Sequence, residues 1–285
     1  MSANATVGRL RLRFEFDPSD AVTRLDVEEQ SPPLQVVRAF PNPGAGTLVH
    51  LHNVSGGILA GDRLEMEFSI GPQAGAQIVS TGATRVYRCA DREAGATQKT
   101  TIRVGERALL EYLPDPVIPF AQSRYAQETD IHLEAGATLF WWESIAPGRQ
   151  SSGELFAYDR LHVRAAIHAD RRPIVYENYL LEPARMRLDA PGRLGPYAHM
   201  TTFYICQPGR GAESWLELEN MLSEIAFKLT GKSTRWGASA LGADGVAVRG
   251  LSVSGVEISS HLREFWRAAK KFVTGREAVM PRKVG

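Results

Sequence analysis

The chain has 285 residues, and its 33 Lys and Arg residues nearly balance 32 Asp and Glu residues, for a formal net charge of +1. This balance, with the basic residues scattered, argues against a nucleic-acid-binding surface. No apolar run approaches the roughly 18 residues that a membrane helix needs, and the first residues alternate like a strand rather than a secretory signal. The two cysteines, Cys89 and Cys206, have no metal or redox spacing. We therefore expect a soluble cytoplasmic protein that binds neither nucleic acid nor membrane.

Alternating apolar and polar residues predict β-strands near the start of the chain and again at residues 64–70, because side chains two apart lie on one face of a strand. A glycine-rich stretch, residues 55–62, precedes the second of these strands. Glycine permits the tight conformations of a strained connection, so this stretch is predicted to join two strands. Asp62, at its end, is a candidate polar site.

The glycine-rich stretch is not expected to bind nucleotides. Gly56 and Gly61 have the spacing of two P-loop glycines. A P-loop, however, needs a lysine where this chain has Asp62, and it must open a helix rather than a strand.

A unit made of a turn, an alanine and an apolar run recurs about every 30 residues along the chain. Its copies are residues 74–81, 105–114, 135–143 and, more loosely, 170–179. Further alternating segments lie between the copies. Many short strands with regular turn signals predict a mainly β fold, either an irregular β-sandwich or a β-solenoid.

The pattern becomes helical after about residue 209. Ser214 and Glu217 have the spacing of a capping box, and apolar residues then recur every three or four positions to residue 229. Residues 236–258 are predicted to form a hairpin and residues 260–273 a second helix. Both predicted helices are amphipathic.

These boundaries indicate a single domain of three parts. The parts are a β-rich body at residues 7–208, a helix–hairpin–helix region at residues 209–273 and a flexible basic tail at residues 274–285.

Three glutamates, Glu111, Glu143 and Glu177, lie on otherwise apolar faces of predicted strands. A carboxylate that faces a core is costly unless it is paired or hydrated. One interpretation is a structural network, and the other is a polar internal passage lined by carboxylates. In the network, the candidate partners are Arg85, Arg124 and Arg149.

Other residue groups leave further functions open. His50 and His52 share a strand face and could bind a metal together, although such pairs are more often incidental. Trp141, Trp142 and Tyr112 could form the stacking face of a β-sandwich carbohydrate- or protein-binding module. A hydrolase that uses a carboxylate pair is a third possibility, but no catalytic motif supports it.

Five stretches carry a family resemblance. They are residues 33–41, 55–62, 81–88, 110–120 and 141–149, accompanied by Ser123, Arg124, Gln127, Ser152, Glu154 and Phe156. In this order they resemble the urease accessory proteins called UreD, or UreH in some systems, over about residues 30–180, and the C-terminal layout is also similar. Arg85 stands where the family often has lysine, and Val54 and Ser55 stand where it often has prolines.

The resemblance implies a mainly β fold with two helices near the C-terminus. It implies a scaffold or metallochaperone rather than an enzyme. Such a protein binds urease apoprotein and recruits an accessory protein of the UreF type and, through the complex, a nickel-carrying GTPase of the UreG type. No cofactor is held stably, and nickel is in transit to the carbamylated lysine of urease.

The residues themselves add a hypothesis to this resemblance. Oxygen ligands that hold nickel weakly would also release it. We predict that Asp62, Glu143 and Glu177 edge a transient nickel path inside the protein.

Overall fold

The computed structural model describes residues 5–89 and 95–280, which form 18 strands, two α-helices and a short 3-10 turn at Gln150–Ser152. The strands are β1 (Val7–Asp17), β2 (Val22–Gln30), β3 (Leu34–Gln35), β4 (Ala39–Asn42), β5 (Gly46–Asn53), β6 (Arg63–Ile70), β7 (Gly75–Ser80), β8 (Thr84–Val86), β9 (Ala96–Val104), β10 (Leu109–Leu113), β11 (Val117–Pro119), β12 (Arg124–Leu133), β13 (Thr138–Ile145), β14 (Arg160–Ala169), β15 (Arg172–Leu181), β16 (His199–Cys206), β17 (Thr234–Ala240) and β18 (Gly245–Ser252). The helices are α1 (Ala212–Leu229) and α2 (Gly255–Thr274).

The centre of the fold is a short solenoid whose turns each give one strand to each of two sheets. In the first sheet β6, β9, β12 and β14 are parallel neighbours. In the second sheet β5, β7, β10 and β13 are parallel neighbours. Gly75 pairs with Leu109, which pairs with Thr138, so the predicted repeat of about 30 residues is one solenoid turn.

The fourth predicted copy, residues 170–179, does not continue the solenoid. Its strand, β15, turns back from β14 by a hairpin and pairs antiparallel in the first sheet, whereas the other copies lie in the second sheet. The chain then crosses to β16, which pairs antiparallel with β13. The prediction was wrong here because similar residues form a strand in either direction, and pairing direction is set by neighbours.

The completed sheets have seven and eleven strands. The first runs β15-β14-β12-β9-β6-β1-β2, and the main path of the second runs β17-β18-β16-β13-β10-β7-β5-β3. Both helices pack on the outer face of the second sheet, in a core that contains Phe140, Phe203 and Trp266. Another core lies between the sheets and contains Phe68, Trp141 and Tyr204. The mainly β prediction, with two helices near the C-terminus, is confirmed.

Burial on both faces makes the second sheet different from the first. β6 alternates buried and exposed residues along most of its length, as its period predicts. Most of β13 is buried, because Trp141 faces the first sheet and Phe140 faces the helices. Such strands read as near-continuous apolar runs.

The helix boundaries differ from the predicted ones. Helix α1 begins at Ala212 after Gly211, without a side-chain cap, so the capping box was wrong; the hydroxyl of Ser214 instead accepts a bond from Arg210 at 3.1 Å. Helix α2 begins at Gly255, and the hairpin strand ends at Ser252. The carboxylate of Glu257, in the first turn of α2, accepts bonds from Ser252 and Ser233, both at 2.8 Å, which fastens the turn.

The predicted tail is described as far as residue 280. Glu277 pairs with Lys271 at 2.5 Å, and Ala278 packs against the core under the helices. Residues 281–285 lie outside the described residues. In the part of the chain that the structure describes, neither helix is long and apolar enough to cross a membrane.

Candidate functional site

The glycine-rich connection is closed by Asp62. It runs from the end of β5 to the start of β6, as predicted, and no helix follows it. Asp62 is buried, and its two carboxylate oxygens accept the backbone N–H groups of Thr6 at 3.1 Å and Leu59 at 2.8 Å. Because both oxygens are already bonded, this side chain holds the loop to the start of the chain.

Gly57 lets the loop approach β8 closely. The N–H of Ile58 donates to the carbonyl of Arg85 at 2.7 Å, and Tyr87 donates its N–H to Ile58 at 2.9 Å. A Cβ on Gly57 would lie 2.5 Å from the Tyr87 ring and 2.7 Å from the carbonyl oxygen of Arg85. No side chain fits at this position without a shift of its neighbours, so the glycine at position 57 has a packing reason.

Three neighbouring cavities lie between the sheets, and we call them together the passage. The first, about 300 Å³, opens beside the glycine-rich connection and is called the mouth. The second, about 40 Å³, shares Tyr112 and Gln98 with the mouth. The third, about 10 Å³, shares Glu143 and Tyr179 with the second. Each cavity thus shares lining residues with the next, so the three lie in a row in the inter-sheet space.

Glu143 lies where the second and third cavities meet. It projects from β13 of the second sheet and accepts a 2.5 Å hydrogen bond from Gln127 on β12 of the first sheet. Burial raises the pKa of Glu143 to about 8, and the nearby charge of Glu177 adds to the rise. The hydrogen bond from Gln127 acts in the opposite direction and lowers this pKa. A carboxyl group with this pKa is mostly protonated at neutral pH.

Glu177 lines the third cavity from the other sheet. Its Oε1 accepts a 2.8 Å bond from the hydroxyl of Tyr204 and pairs with the guanidinium of Arg249. Burial, together with the charge of Glu177, raises the pKa of the Tyr204 hydroxyl, so that hydroxyl remains a donor. The third cavity therefore brings two carboxyl groups together, one with an amide partner and one with a cationic partner.

The structure brings together two of the three predicted site residues. Glu143 and Glu177 share the third cavity, whereas Asp62 lines none of the three cavities described above. Glu111 faces the other side of the second sheet, where it pairs with Lys270 at 2.6 Å.

The predicted arginine partners were wrong. Arg124 pairs with Asp159, Arg149 pairs with Glu154, and Arg85 lines the mouth. The actual partners come from distant segments, namely Gln127, Arg249, Tyr204 and Lys270. The inward alternation of β12 was the available signal for Gln127.

The histidine pair divides between two environments. His50 is buried and packs its ring edge-on to Phe40, with centroids 5.7 Å apart, while His52 lines the mouth. Within residues 5–89 and 95–280, no group of three or more His, Cys, Asp or Glu side chains could hold a metal ion. A metal site of the His50–His52 pair alone stays a prediction.

The aromatic residues do not form an exposed stacking face. Trp141 and Tyr112 are buried, and Trp142 is half-buried, with its indole N–H donated to the carbonyl of Pro114 at 2.9 Å. The carbohydrate-binding alternative needed these rings at the surface, so the structure removes its basis.

Comparison with known proteins identifies the family. The model of the UreD urease accessory protein family matches residues 6–284. The chain belongs to this family. A urease accessory protein UreD of Herpetosiphon aurantiacus is 42% identical over 96% of this chain and 95% of its own length.

More distant relatives agree over similar lengths. The urease accessory protein UreD 2 of Brucella abortus is 32% identical over 93% of this chain and 88% of its own length. The UreD of Halalkalibacterium halodurans is 28% identical over 92% of this chain and 94% of its own length. Membership of the UreD family supports a role in urease maturation for this chain.

Proposed function

We propose that this protein is a non-catalytic maturation factor that passes nickel through the passage on its way to urease. In the same proposal it binds urease apoprotein and an accessory protein of the UreF type, and reaches the nickel-carrying GTPase of the UreG type through that complex. Family membership supports the maturation role, and the proposal extends it to a route and to partners.

The observation that carries the route is the pair of carboxyl groups on one internal cavity. Carboxylate oxygen binds nickel, and weak sites are needed for release. Glu143 must lose a proton before it can bind a cation, since its pKa is about 8. Glu177 must exchange Arg249 for the metal. Both requirements weaken nickel binding, and a site on a transient path must bind nickel weakly in order to release it.

Asp62 has a different place in this proposal. Its carboxylate accepts two backbone N–H groups, so its contribution to a nickel path is through the loop that borders the mouth. Direct contact between nickel and Asp62 would require those bonds to break.

An exposed apolar surface on α1 supports the binding of a partner protein. Phe227 exposes 84% of its surface and Leu216 exposes 54%, although large apolar side chains are usually covered. The two cysteines, Cys89 and Cys206, are both buried and lie far apart in the sequence, which suits the reducing cytoplasm in which we propose that the protein acts.

The test is urease maturation in a host from which this gene has been deleted. Wild type, the double variant Glu143→Gln with Glu177→Gln, and the control Glu67→Gln are each restored. Glu67 lies on β6 and pairs with Arg11 on the half-exposed outer face of the first sheet. We expect roughly tenfold less nickel per urease with the double variant and normal nickel content with the control. A tenfold change corresponds to a free-energy difference of about 1.4 kcal/mol.

Assembly is measured in the same cells. The double variant should still co-purify with urease and its accessory partners in wild-type amounts, which separates transfer from folding. Normal nickel content with the double variant would refute the route. Normal nickel content in the deletion strain itself would refute the maturation role.

A further inference from the structure

The mouth of the passage is lined by basic residues, whereas its interior is lined by carboxyl groups. Among the described residues that line it, Arg85 and His52 are basic, and none is Asp or Glu. The second and third cavities, in contrast, are lined by Asp115, Glu143 and Glu177. A bare divalent cation is repelled at the mouth, whereas an anion is attracted there.

Arg85 is held in place and its guanidinium is available. Its strand, β8, pairs with β11, and its carbonyl accepts the N–H of Ile58 at 2.7 Å. Among the described residues, no carboxylate lies within 4.0 Å of its guanidinium, and no hydrogen bond joins that guanidinium to another residue. Most arginines on the first sheet pair with an aspartate or a glutamate, as Arg9 and Arg164 do.

Backbone donors complete the polar rim. In the stretch between β7 and β8, Thr81 and Thr84 donate their N–H groups to carbonyl oxygens. The N–H groups of Gly82 and Ala83, which lie between them, donate to no oxygen of the described residues. Both residues line the mouth, so their N–H groups are available to an anion beside Arg85.

The floor of the mouth is apolar. It is formed by Leu34, Leu51, Ile58, Leu64 and Met66. A cavity of about 300 Å³ is larger than the smallest oxyanions need, so the floor has room for a short hydrocarbon group beneath a charged head.

We propose that the mouth is a binding site for a monovalent carboxylate with a short apolar group. One guanidinium fork matches the two oxygens of one carboxylate, and a single positive charge favours one negative charge. The apolar floor would receive the hydrocarbon group and disfavour a strongly hydrated dianion. This inference goes beyond the nickel route and does not depend on it.

The experiment is ligand-observed NMR titration of the full chain with formate, acetate, propionate and butyrate, and with inorganic phosphate. Each added methylene should tighten binding about fourfold, the equivalent of about 0.8 kcal/mol of buried CH₂. Arg85→Gln should weaken butyrate binding at least about tenfold. The butyrate affinity of Arg85→Lys should lie between those of Arg85→Gln and wild type, because lysine keeps the positive charge but lacks the paired N–H donors of the guanidinium.

Arg88→Gln is the matched control. Arg88 is exposed in the same segment but is not among the residues that line the mouth, so butyrate binding should be unchanged. Thermal melting of each variant confirms folding; both arginines are exposed.

N-acetylglutamate amide, which mimics an acidic side chain, identifies the source of the carboxylate. Tighter binding than butyrate assigns it to a partner protein, and weaker binding assigns it to a free small molecule.

Several outcomes would overturn the proposal. They are no binding of any carboxylate at tens of millimolar, affinity independent of chain length, phosphate binding tighter than butyrate, and butyrate binding that Arg85→Gln leaves intact.

Discussion

The ammonium of Lys270 lies 2.6 Å from Oε1 of Glu111, and both side chains are fully buried. Lys270 comes from α2 and Glu111 from β10, so the pair joins the helix layer to the second sheet. The other carboxylate oxygen of Glu111 accepts a 2.5 Å hydrogen bond from the side-chain amide of Gln77. The side-chain carbonyl of Gln77 in turn accepts a hydrogen bond from the side-chain amide of Asn42 at 2.9 Å. The ion pair is thus the end of a polar chain inside an apolar core.

Removal of one member of this pair should be strongly destabilising. Lys270→Met leaves a buried carboxylate without its cation, so we expect the free energy of unfolding to fall by about 3–5 kcal/mol. The double variant with Glu111→Gln should recover much of this loss, because the amide oxygen still accepts from Gln77. Urea denaturation measures both.

The neighbouring Lys271 provides the control for Lys270→Met. Its ammonium is largely exposed and pairs with Glu277, so Lys271→Met should cost less than about 1 kcal/mol. If the double variant were no more stable than Lys270→Met, the cost would come from lost packing around residue 270 rather than from an unpaired charge.

Asp62 should act on the stability of the loop. Asp62→Ala removes both acceptors of the Thr6 and Leu59 N–H groups, and we expect a loss of about 1–3 kcal/mol. Asp62→Asn keeps one oxygen and should lose roughly half as much. Equilibrium unfolding of the two variants gives the comparison, and equal stability of Asp62→Ala and wild type would contradict the role assigned to these bonds.

Gly57 and Gly82 make a matched pair at the mouth. Gly57→Ala places a methyl group against the Tyr87 ring and the Arg85 carbonyl, whereas a Cβ on Gly82 meets nothing within 4 Å. We expect Gly57→Ala to lower the free energy of unfolding by about 1–3 kcal/mol and Gly82→Ala to stay within about 0.5 kcal/mol. Similar melting temperatures for both variants would show that the loop moves away from β8 without cost.

The sequence predicts strands better where one face is exposed than where both are covered. Along β6, alternation identified the buried residues Leu64, Met66 and Phe68. Along β13, neighbouring residues such as Phe140 and Trp141 are both buried, because helices cover the face that the first sheet does not. The period of an apolar pattern does not indicate which element covers the second face of a strand.

The local sequence pattern could not identify the partners of the buried acidic residues. Lys270 interrupts an apolar stripe of α2 that includes Leu262 and Trp266, and a lysine there was a visible anomaly. Its pairing with Glu111 depends on how α2 docks on β10, and nothing within either segment specifies that docking. The inward position of Glu143 was predicted, whereas its amide partner Gln127 depends on the register between the sheets.

The ionisation of Glu143 should make stability depend on pH. Burial raises its pKa to about 8 from an ordinary value of 4.5. Between these values the folded protein holds a proton that the unfolded chain has lost. The unfolding free energy therefore falls as pH rises through this window. Below pH 4.5 both states are protonated, and above pH 8 both are ionised, so the dependence flattens at each end.

Glu143→Gln isolates this effect, because a glutamine keeps the oxygen that accepts from Gln127 and does not titrate. Wild type and variant share every other titratable group, so the gap between their unfolding free energies reports Glu143. We expect that gap to widen in favour of the variant from about pH 4.5 to pH 8 by on the order of 1–3 kcal/mol, since Glu143 is only half-buried and solvent reduces the burial penalty. Urea titrations at half-unit pH steps measure it. A gap that stays constant over this range would mean that the carboxyl group ionises in the passage at no cost, and nickel binding there would then release no proton at neutral pH.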